Sequence, residues 1–455
     1  MMHSYSSALL VDQYQLSMLD SYIRREMHET AVFELFIRRL PPKRNFLIAA
    51  GLEQAIEFLE TLKFTPTEIN TLAQTGYYSE KLLDYLRDFQ FTGNVNAMPE
   101  GTPFFANEPI LQITAPLPMA QFIETRLINI IHFQTMIASK AIRSVLVKPE
   151  KTFIDFGLRR AHGYDAGLYA ARASYIGGFT GTATVLAGAL FNIPTFGTMA
   201  HSFIEAHETE ELAFLHFAED QPDNVIFLID TYDTIQGAKK VCKLAPELSK
   251  KGIRIKGVRI DSGDLAKYAH QVREILDQSG LTEVSIVASG NLDEDKITSL
   301  LSTNAPIDGF GIGTHLTTSA DYPFLDCVYK LQEYNEKPKR KKSENKVTWP
   351  GKKQVYRRQG DEGVASSDVI ALCNETVTGA IPLLQPVMKA GKRVSSPLSV
   401  QDIRKYCLAS IKTLPEALKE ISPALSNCYP VQISDALQAL ADEVDLQQSD
   451  LNKSI

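Results

Sequence analysis

Short apolar runs alternate with helical patterns through the middle of the chain. The runs are rich in β-branched and aliphatic residues and comprise 152–156, 193–198, 225–230, 255–261, 284–288 and 307–312. Between most of them apolar positions recur at helical spacing, as at Val241, Leu244 and Leu248. Parallel strands joined by right-handed helical crossovers produce this alternation. Six such strands in succession favour an irregular TIM-like (β/α) barrel over an open sheet.

The flanking regions show a different pattern. Residues 8–19 indicate an N-terminal helix, residues 30–39 alternate like a strand, and residues 46–62 return to helical spacing. The remaining predicted elements are a helix over 203–220, another over 82–89, short strands within 102–115, a long helix over 119–147, short strands at 326–334, 356–358, 369–372 and 383–388, and an acidic helix from Asp435. We predict an α/β protein with domains 1–118, 119–325 and 326–455, in which the C-terminal segment completes an N-terminal α+β domain.

Composition narrows the possible partners. The 455-residue chain is 44% hydrophobic and 22% charged, as ordinary globular proteins are, and its net charge of -7 argues against a broad nucleic-acid surface. It has no apolar run long enough to cross a bilayer and no signal-peptide pattern, so we expect a cytoplasmic protein. Five widely spaced cysteines without a Cys-x-x-Cys pair predict reduced thiols and no structural zinc.

Almost every predicted strand of the middle region ends in polar residues or glycines. These ends are residues 157–160, 197–202, 230–233, 259–264, 289–291 and 311–314. In a (β/α) barrel the carboxyl ends of the strands converge on one face, where such folds place their active sites. A lone histidine at a strand end, such as His201, is more often structural than catalytic. The shared position of the other polar ends favours an active site here.

The residue types at these ends suit a phosphorylated ligand. Ser289-Gly290-Asn291 and Gly311-Ile312-Gly313-Thr314 allow backbone amides to approach an anion. Arginine side chains that could clamp a phosphate or carboxylate are Arg159, Arg160 and Arg259. Asp261 and Asp264 could hold Mg²⁺ or ribose hydroxyls, unless Asp264 only caps the next helix. The chain has neither a P-loop nor a Gly-x-Gly-x-x-Gly fingerprint, and the basic run 337–346 is predicted to be a solvated loop.

Taken together in this order, the motifs resemble those of nicotinate phosphoribosyltransferase, a type II phosphoribosyltransferase family. The resemblance spans residues 8 to 358 and rests on VDQYQL at 11–16, FELF at 33–36, FGLRRA at 156–161, GTMAHS at 197–202, GVRIDSGDL at 257–265, GIGT at 311–314 and CVYKL at 327–331. It implies transfer of a phosphoribosyl group from phosphoribosyl pyrophosphate (PRPP) to nicotinate, coupled to ATP hydrolysis through a phosphohistidine.

The resemblance also implies a role for particular residues. His201 matches the phosphorylated histidine, and we expect Asp230, or alternatively Glu205, to set its tautomer. Nicotinate is expected to contact Phe156, Thr198, Arg259 and, from the partner subunit of a homodimer, Tyr14. PRPP is expected to contact Arg159, Asp261, Ser262, Gly263, Gly290, Asn291, Gly311, Gly313 and Thr314. Asp261 is also the candidate Mg²⁺ ligand, through water or substrate.

Several alternatives stay open at this point. A nicotinamide-specific enzyme would have the same arrangement of site residues, although the GVRID sequence at 257–261 resembles that of the nicotinate-specific enzymes. An aldolase or glycoside hydrolase is disfavoured because no lysine lies at a strand end, and a silent binding protein is disfavoured by His201 and Arg259. His162, His207 and His216 are the nearby alternatives for the phosphorylated residue. Which group of segment 178–184 reads the nicotinate carboxylate is also open.

Overall fold

The computed structural model describes residues 7–344, 346–423 and 429–453, and the chain divides into two compact units. Unit 1 comprises Met1–Met136 together with Phe324–Ile455, and unit 2 comprises Ile137–Pro323. The division into three domains, residues 1–118, 119–325 and 326–455, remains a prediction.

The N-terminal elements combine helices and strands, as the sequence predicts. In chain order they are α1 (Gln13–Arg24), β1 (Thr30–Ile37), β2 (Leu47–Ile48), α2 (Leu52–Thr61), α3 (Pro66–Thr75), α4 (Glu80–Arg87), β3 (Asn94–Ala97), β4 (Pro103–Phe104), β5 (Pro109–Pro116), α5 (Leu117–Phe122) and α6 (Glu124–Val147). The helical prediction for 46–62 is wrong at its start, because Leu47 and Ile48 pair with β4. The long helix predicted from 119 is interrupted at Ile123.

Unit 2 alternates strands and helices. Its elements are β6 (Thr152–Asp155), α7 (Tyr164–Ile176), β7 (Gly181–Thr182), α8 (Val185–Phe191), α9 (His201–Glu205), α10 (Glu210–Asp220), β8 (Ile226–Leu228), α11 (Thr234–Lys250), β9 (Gly257–Ile260), α12 (Leu265–Gln278), β10 (Ser285–Ala288), α13 (Glu294–Ser302), β11 (Gly309–Ile312) and α14 (Thr314–Thr317). In this fully described unit the strands form a six-stranded parallel sheet in the order β7-β6-β11-β10-β9-β8. The mixed α/β prediction is confirmed.

Two element predictions in unit 2 are wrong. Residues 193–198 form no strand; Thr195 makes only an isolated parallel bridge to Thr182, in the unpredicted strand β7. Pro194 has no N–H group to donate to a ladder, although its carbonyl accepts from the Thr182 N–H. The helix predicted over 203–220 is two helices, α9 and α10, because Thr209 caps a new start at Glu210.

The remaining elements return to unit 1. They are β12 (Cys327–Tyr334), β13 (Lys337–Pro338), β14 (Lys353–Gln359), β15 (Ala365–Leu372), β16 (Ala380–Pro382), β17 (Gln385–Lys389), β18 (Lys392–Arg393), α15 (Val400–Lys412), α16 (Glu416–Lys419), β19 (Val431–Ile433) and α17 (Asp435–Lys453). Over its described residues, unit 1 holds a seven-stranded antiparallel sheet (β13-β12-β1-β5-β3-β17-β18), a four-stranded sheet (β16-β14-β15-β19) and the β2-β4 pair. The predicted C-terminal helix is confirmed.

Apolar side chains on the strands form the core of unit 2. Phe153, Phe227, Val258, Ile286 and Phe310 are fully or almost fully buried, and the Phe153 and Phe310 rings stack with centres 5.7 Å apart. Strands covered on both faces read as continuous apolar runs in the sequence, which is why these strands were predictable. This core holds the strand ends at fixed separations.

Three further predictions concern the basic run, the cysteines and membrane-spanning helices. Within the basic run, Lys341 and Lys342 are exposed, and Asp445 of α17 pairs with Arg340 at 3.0 Å and with Lys342 at 2.9 Å. The thiols of Cys242, Cys327, Cys373 and Cys407 are free, and Cys428 lies outside the described residues. No helix in the described ranges combines the length and apolar character that crossing a bilayer requires.

Candidate active site

The loops that follow the strands of unit 2 leave from the same edge of its sheet, because neighbouring strands pair in parallel. Loops after β6, β8, β9, β10 and β11 carry nearly all of the predicted site residues. His201 and Thr198 precede or begin α9, and side-chain contacts join this segment to the same loops. Tyr14 is the exception, since it lies on α1 in unit 1.

His201 is the first residue of α9, and its ring is partly exposed. Its Nδ1 atom lies 3.1 Å from Thr231 Oγ1, in the loop after β8. The predicted partners are therefore wrong: among the described residues neither Asp230 nor Glu205 is hydrogen-bonded to this ring. No sequence signal singles out Thr231, because a threonine after an aspartate is common in loops.

Asp230 supports a different part of the site. Its Oδ2 atom accepts hydrogen bonds from the Asp261 backbone N–H at 3.0 Å and from Ser262 Oγ at 2.6 Å. Its other oxygen, Oδ1, is buried and has no hydrogen-bond partner among the described residues. Asp230 thus fixes the loop after β9 rather than the histidine, and an orphaned carboxylate oxygen remains beside that loop.

Arg259 places a half-buried cation in the site. It lies on β9 and donates from Nη2 to the Met199 carbonyl at 2.7 Å, while its guanidinium carbon lies 5.9 Å from the centre of the Phe156 ring. Its Nε atom is buried and, among the described residues, has no partner. Burial lowers the pKa of Arg259, although the carboxylates of Asp261 and Asp230 oppose that shift. A cation with an unused donor is suited to an anionic ligand.

Phe156 sits where only small neighbours fit. A Cβ atom on Gly311 would lie 2.5 Å from the Phe156 ring, and one on Gly313 would lie 3.0 Å from the Phe156 carbonyl oxygen. The Phe156 N–H donates to the Ile312 carbonyl at 2.8 Å, which continues the β6-β11 pairing beyond the strands. These glycines let the aromatic ring and the loop after β11 approach each other closely.

The loop after β10 is tied to Asp261. Ser289 Oγ donates to Asp261 Oδ1, and Gly290 has a left-handed backbone with φ of 97°. A Cβ atom at Gly290 would lie only 2.0 Å from the Asp261 carbonyl oxygen. Asn291 is also left-handed, with φ of 57°, and its carbonyl accepts from Lys296 Nζ at 2.6 Å. The turn predicted to bind a phosphate is therefore fixed at residues 289, 290 and 291 by hydrogen bonds and close backbone packing.

Asp264 and Asp261 have different roles. Asp264 Oδ1 accepts from the Lys267 N–H at 3.1 Å, so it caps α12 as the structural alternative proposed. Gly263 between them is left-handed, with φ of 77°, and packs against the Tyr268 ring. Asp261 remains as the half-buried carboxylate directed at the neighbouring loops.

Asp155 is a site residue that the sequence reading missed. It is buried at the end of β6, where its two oxygens accept from the Gly157 N–H at 2.8 Å and from Thr182 Oγ1 at 2.7 Å. Burial raises the pKa of Asp155 to about 6, against the lowering effect of these two hydrogen bonds. An acidic residue inside an otherwise apolar strand could have pointed to Asp155 in the sequence. Through its bond to the Gly157 N–H, Asp155 holds the turn that carries Arg159 and Arg160, both of which are exposed.

The other predicted residues occupy the edge of this arrangement. Thr314 begins α14, and the Thr198 hydroxyl lies 3.4 Å from the Met199 carbonyl to which Arg259 also donates. Of the alternative histidines, His162 is exposed, and His207 Nδ1 is held by the Phe203 carbonyl at 2.7 Å. In unit 1, Tyr14 is 46% exposed, and burial together with Glu124 raises its pKa to about 12.

Residues 9–132 match the nicotinate phosphoribosyltransferase (NAPRTase) N-terminal domain, residues 152–369 the nicotinate phosphoribosyltransferase family, and residues 376–441 its C-terminal domain. The chain is 42% identical to a nicotinate phosphoribosyltransferase of Mycobacterium tuberculosis, over 94% of this chain and 92% of that protein. The chain belongs to the nicotinate phosphoribosyltransferase family.

The chain is also similar to other members of the nicotinate phosphoribosyltransferase family. The enzyme of Bacillus subtilis is 40% identical over 94% of this chain and 93% of its own length. The crystal structure of human nicotinic acid phosphoribosyltransferase superposes with a TM-score of 0.85 at 28% identity, covering 96% of this chain and all of that one. The family predicted from the sequence motifs is confirmed.

For a member of the nicotinate phosphoribosyltransferase family, this edge of the sheet offers complementary groups. Arg259 on β9 and the Phe156 ring directly after β6 suit a flat anionic ring, and the glycine turns after β10 and β11 suit phosphate groups. Asp261 supplies a carboxylate, and His201 supplies an imidazole nitrogen of the kind that can act as a nucleophile.

Proposed function

We propose that this chain catalyses ATP-coupled transfer of the phosphoribosyl group of PRPP to nicotinate, giving nicotinate mononucleotide and diphosphate for NAD biosynthesis. Family membership supports the reaction class. The observation that carries the assignment to the acid is Arg259, a half-buried guanidinium above the Phe156 ring whose buried Nε donor is unused. A guanidinium pairs with a carboxylate through charge-assisted bonds that a neutral amide cannot match.

In this proposal the pyridine ring stacks on Phe156, and its carboxylate binds Arg259 and the Thr198 hydroxyl. PRPP occupies the loops after β6, β9, β10 and β11, with its phosphates on Arg159, Ser262, Gly263, Gly290, Asn291, Gly311, Gly313 and Thr314. The close packing of Gly290 on Asp261 and of Gly311 on Phe156 supports this placement, because it brings backbone amides to the site surface.

Magnesium is expected to accompany PRPP and ATP. The residues present fit it: the Asp261 carboxylate and the orphaned Asp230 Oδ1 are hard oxygen donors beside the phosphate loops, and Mg²⁺ is held by few carboxylates together with water and substrate phosphates. When bound, it would neutralise charge on the phosphates. The chain itself contributes the carboxylates and the geometry of their loops.

The bond change at the sugar needs little covalent help from the protein. The bond from the ribose carbon to the diphosphate oxygen breaks as the nicotinate ring nitrogen forms its bond to that carbon. In this proposal Arg159 stabilises the leaving diphosphate, while Phe156 and Arg259 hold the ring in line. Orientation and electrostatic stabilisation account for the rate.

His201 couples the reaction to ATP in this proposal. One ring nitrogen attacks the γ-phosphorus, a P–N bond forms and ADP leaves; water later cleaves that bond and releases phosphate. The hydrogen bond between Nδ1 and Thr231 supports Nε2 as the nucleophile, because it orients the ring and occupies the other nitrogen. Thr231 therefore takes the orienting role first expected of Asp230.

We further propose that the unit 2 sheet curves into an irregular TIM-like barrel and that the chain forms homodimers with shared sites. Asn224 Nδ2, just before β8, donates to the Gly197 carbonyl at 2.6 Å, and Gly197 follows the Thr195 bridge to β7. This bond supports approach of the two ends of the sheet. The exposed face of Tyr14 supports its insertion into the site of a partner subunit. Cytoplasmic location stays a prediction.

Product analysis by mass spectrometry tests the reaction. The purified protein is incubated with PRPP and Mg²⁺, with nicotinate or nicotinamide, and with or without ATP. We expect nicotinate mononucleotide, formed faster with ATP, and little product from the amide. Preference for nicotinamide would instead assign the related nicotinamide enzyme.

Labelling with γ-phosphorus-labelled ATP tests the role of His201. We expect an acid-labile phosphate on the wild-type protein and none on His201→Ala, which should keep slow ATP-independent transfer. His207→Ala serves as the control and should label normally. Normal labelling of His201→Ala would show that another histidine is the acceptor.

A further inference from the structure

Two cations on α6 are buried in unit 2. The side chains of Lys140 and Arg143 are 4% and 5% exposed, and both bind Glu294, which is 2% exposed. Lys140 Nζ lies 2.6 Å from Glu294 Oε2, and Arg143 Nε lies 2.8 Å from Glu294 Oε1. Each oxygen of one carboxylate thus binds a different cation.

Lys140 has a second acidic partner. Its Nζ atom lies 2.8 Å from Asp321 Oδ1. Glu294 is the first residue of α13, directly after the 289–293 turn, and Asp321 follows α14, which begins at Thr314. The Lys140 ammonium group therefore binds one residue that follows each of the two predicted phosphate loops.

In the described contacts of this cluster, Lys140 and Arg143 face the carboxylates of Glu294 and Asp321. Burial acts to raise the pKa of Glu294, but Lys140 and Arg143 outweigh it and hold that pKa below its usual value. The carboxylate therefore stays charged at neutral pH. Because removing one partner of a buried pair leaves an uncompensated charge, these side chains have little freedom to separate.

The same two loops are also linked on the site side. Asp293 caps α13 through the Lys296 N–H at 2.9 Å, and its Oδ2 atom lies 3.6 Å from Nδ1 of His315, the residue after Thr314. Ser289 at the other end of the turn binds Asp261. The loops are thus joined both by the partly exposed pair of Asp293 and His315 and by the buried Lys140.

We propose that Lys140, through Glu294 and Asp321, is a positioning residue that sets the spacing between the two loops that bind PRPP phosphates. It touches no substrate itself. Phosphate cradles of backbone amides depend on sub-ångström placement, so a shift of either loop weakens phosphate binding. The inference rests on the proposed function, since it assumes that these loops receive PRPP.

A purely structural ion pair would behave differently. Its loss would lower thermal stability without singling out one substrate. A matched control is available in Lys353, whose Nζ lies 2.9 Å from Glu34 Oε2 with side chains 3% and 0% exposed. That pair is equally buried, but it lies in unit 1 between β14 and β1 and bonds to none of the phosphate loops.

The test compares Lys140→Met, Glu294→Gln and the milder Asp321→Asn with Lys353→Met. We measure KM for PRPP and for nicotinate, the Kd of PRPP with Mg²⁺ by calorimetry, and Tm. We expect KM and Kd for PRPP to rise about tenfold in the first two variants and less in Asp321→Asn, with KM for nicotinate within about twofold. Lys140→Arg should restore most of the PRPP affinity. Lys353→Met should lower Tm alone.

Three outcomes overturn the inference: PRPP affinity unchanged in folded Asp321→Asn and Lys140→Met, equal rises in KM for both substrates, or the same PRPP defect in Lys353→Met. Failure of the proposed function looks different, because the wild-type protein would then form no nicotinate mononucleotide. The calorimetric comparison still decides the role of Lys140 in that case, and a wild-type protein that does not bind PRPP would overturn both.

Discussion

At the residue scale, the partner of His201 changes how its chemistry is understood. A carboxylate was expected, but the ring is held by the neutral hydroxyl of Thr231. A neutral partner orients the imidazole without adding negative charge beside an incoming phosphate, where like charges would repel. Asp230 is used instead to hold Asp261 and Ser262.

Replacing Thr231 tests this role. Thr231→Val keeps the shape of the side chain but removes the hydroxyl, so the ring loses its orienting bond. We expect phosphorylation of His201 to slow about tenfold, the effect of one hydrogen bond, while ATP-independent transfer is unchanged. Single-turnover labelling measures the phosphorylation rate, and formation of nicotinate mononucleotide without ATP measures the transfer rate. Thr231→Ser is the control, and equal labelling of the valine variant would contradict the role.

Glu108 gives a second prediction, on pH and stability. It is buried in unit 1, where Oε2 accepts from the Phe105 N–H at 2.8 Å and the carboxyl group shares a side-chain hydrogen bond with Asp368. Burial, followed by the charge of Asp368, raises the pKa of Glu108 well above 4.5, although Arg357 opposes the shift. Glu108 is therefore most compatible with the fold when neutral.

The sign follows from the raised pKa in the folded state. The stability that Glu108 contributes is complete below the unfolded pKa of about 4.5 and is lost as pH rises through the folded pKa. Glu108→Gln stays neutral, so we expect its Tm to exceed the wild-type Tm by roughly 2–4 °C at pH 8, with a gap that closes towards pH 4. Thermal melts across this range measure it. A gap that widened in acid would show that Glu108 is charged in the fold.

At the element scale, the site depends on how closely the strand ends approach one another. The loops after β9, β10 and β11 contact through backbone and glycine rather than through long side chains. The strand runs were predictable because buried parallel strands are continuously apolar. The 193–198 run misled because its β-branched and aromatic residues favour a strand, although it pairs with β7 at only one residue.

Gly290→Ala tests this packing. The new Cβ atom would lie 2.0 Å from the Asp261 carbonyl oxygen at a φ of 97°, so the turn must move. We expect the Kd of PRPP to rise at least about tenfold. Gly252→Ala is the matched control, because Gly252 is also left-handed, with φ of 74°, but a Cβ there meets no atom within 4 Å. Equal PRPP affinity in both variants would show that the close approach is not needed.

At the scale of the whole molecule, Tyr14 lies in unit 1, and we propose that it completes the site of a partner subunit. A shared site in a dimer gives a specific expectation for mixed subunits. When Tyr14→Ala and His201→Ala proteins are unfolded, mixed equally and refolded, half of the dimers carry one intact site. We expect about a quarter of the wild-type ATP-dependent rate, measured against each variant refolded alone. No recovery in the mixture would argue that Tyr14 acts within its own chain.

The sequence by itself determined the alternation of strands and helices, the polar strand ends, the glycines of the phosphate loops and the family. These follow from local patterns, because strand burial and turn geometry restrict residue types at neighbouring positions. Only the tertiary structure decided which side chains contact each other. Thr231 is 30 positions from His201, and Glu294 is 154 positions from Lys140. Which side chains meet across such separations depends on the register and packing of whole elements, and no local pattern records it.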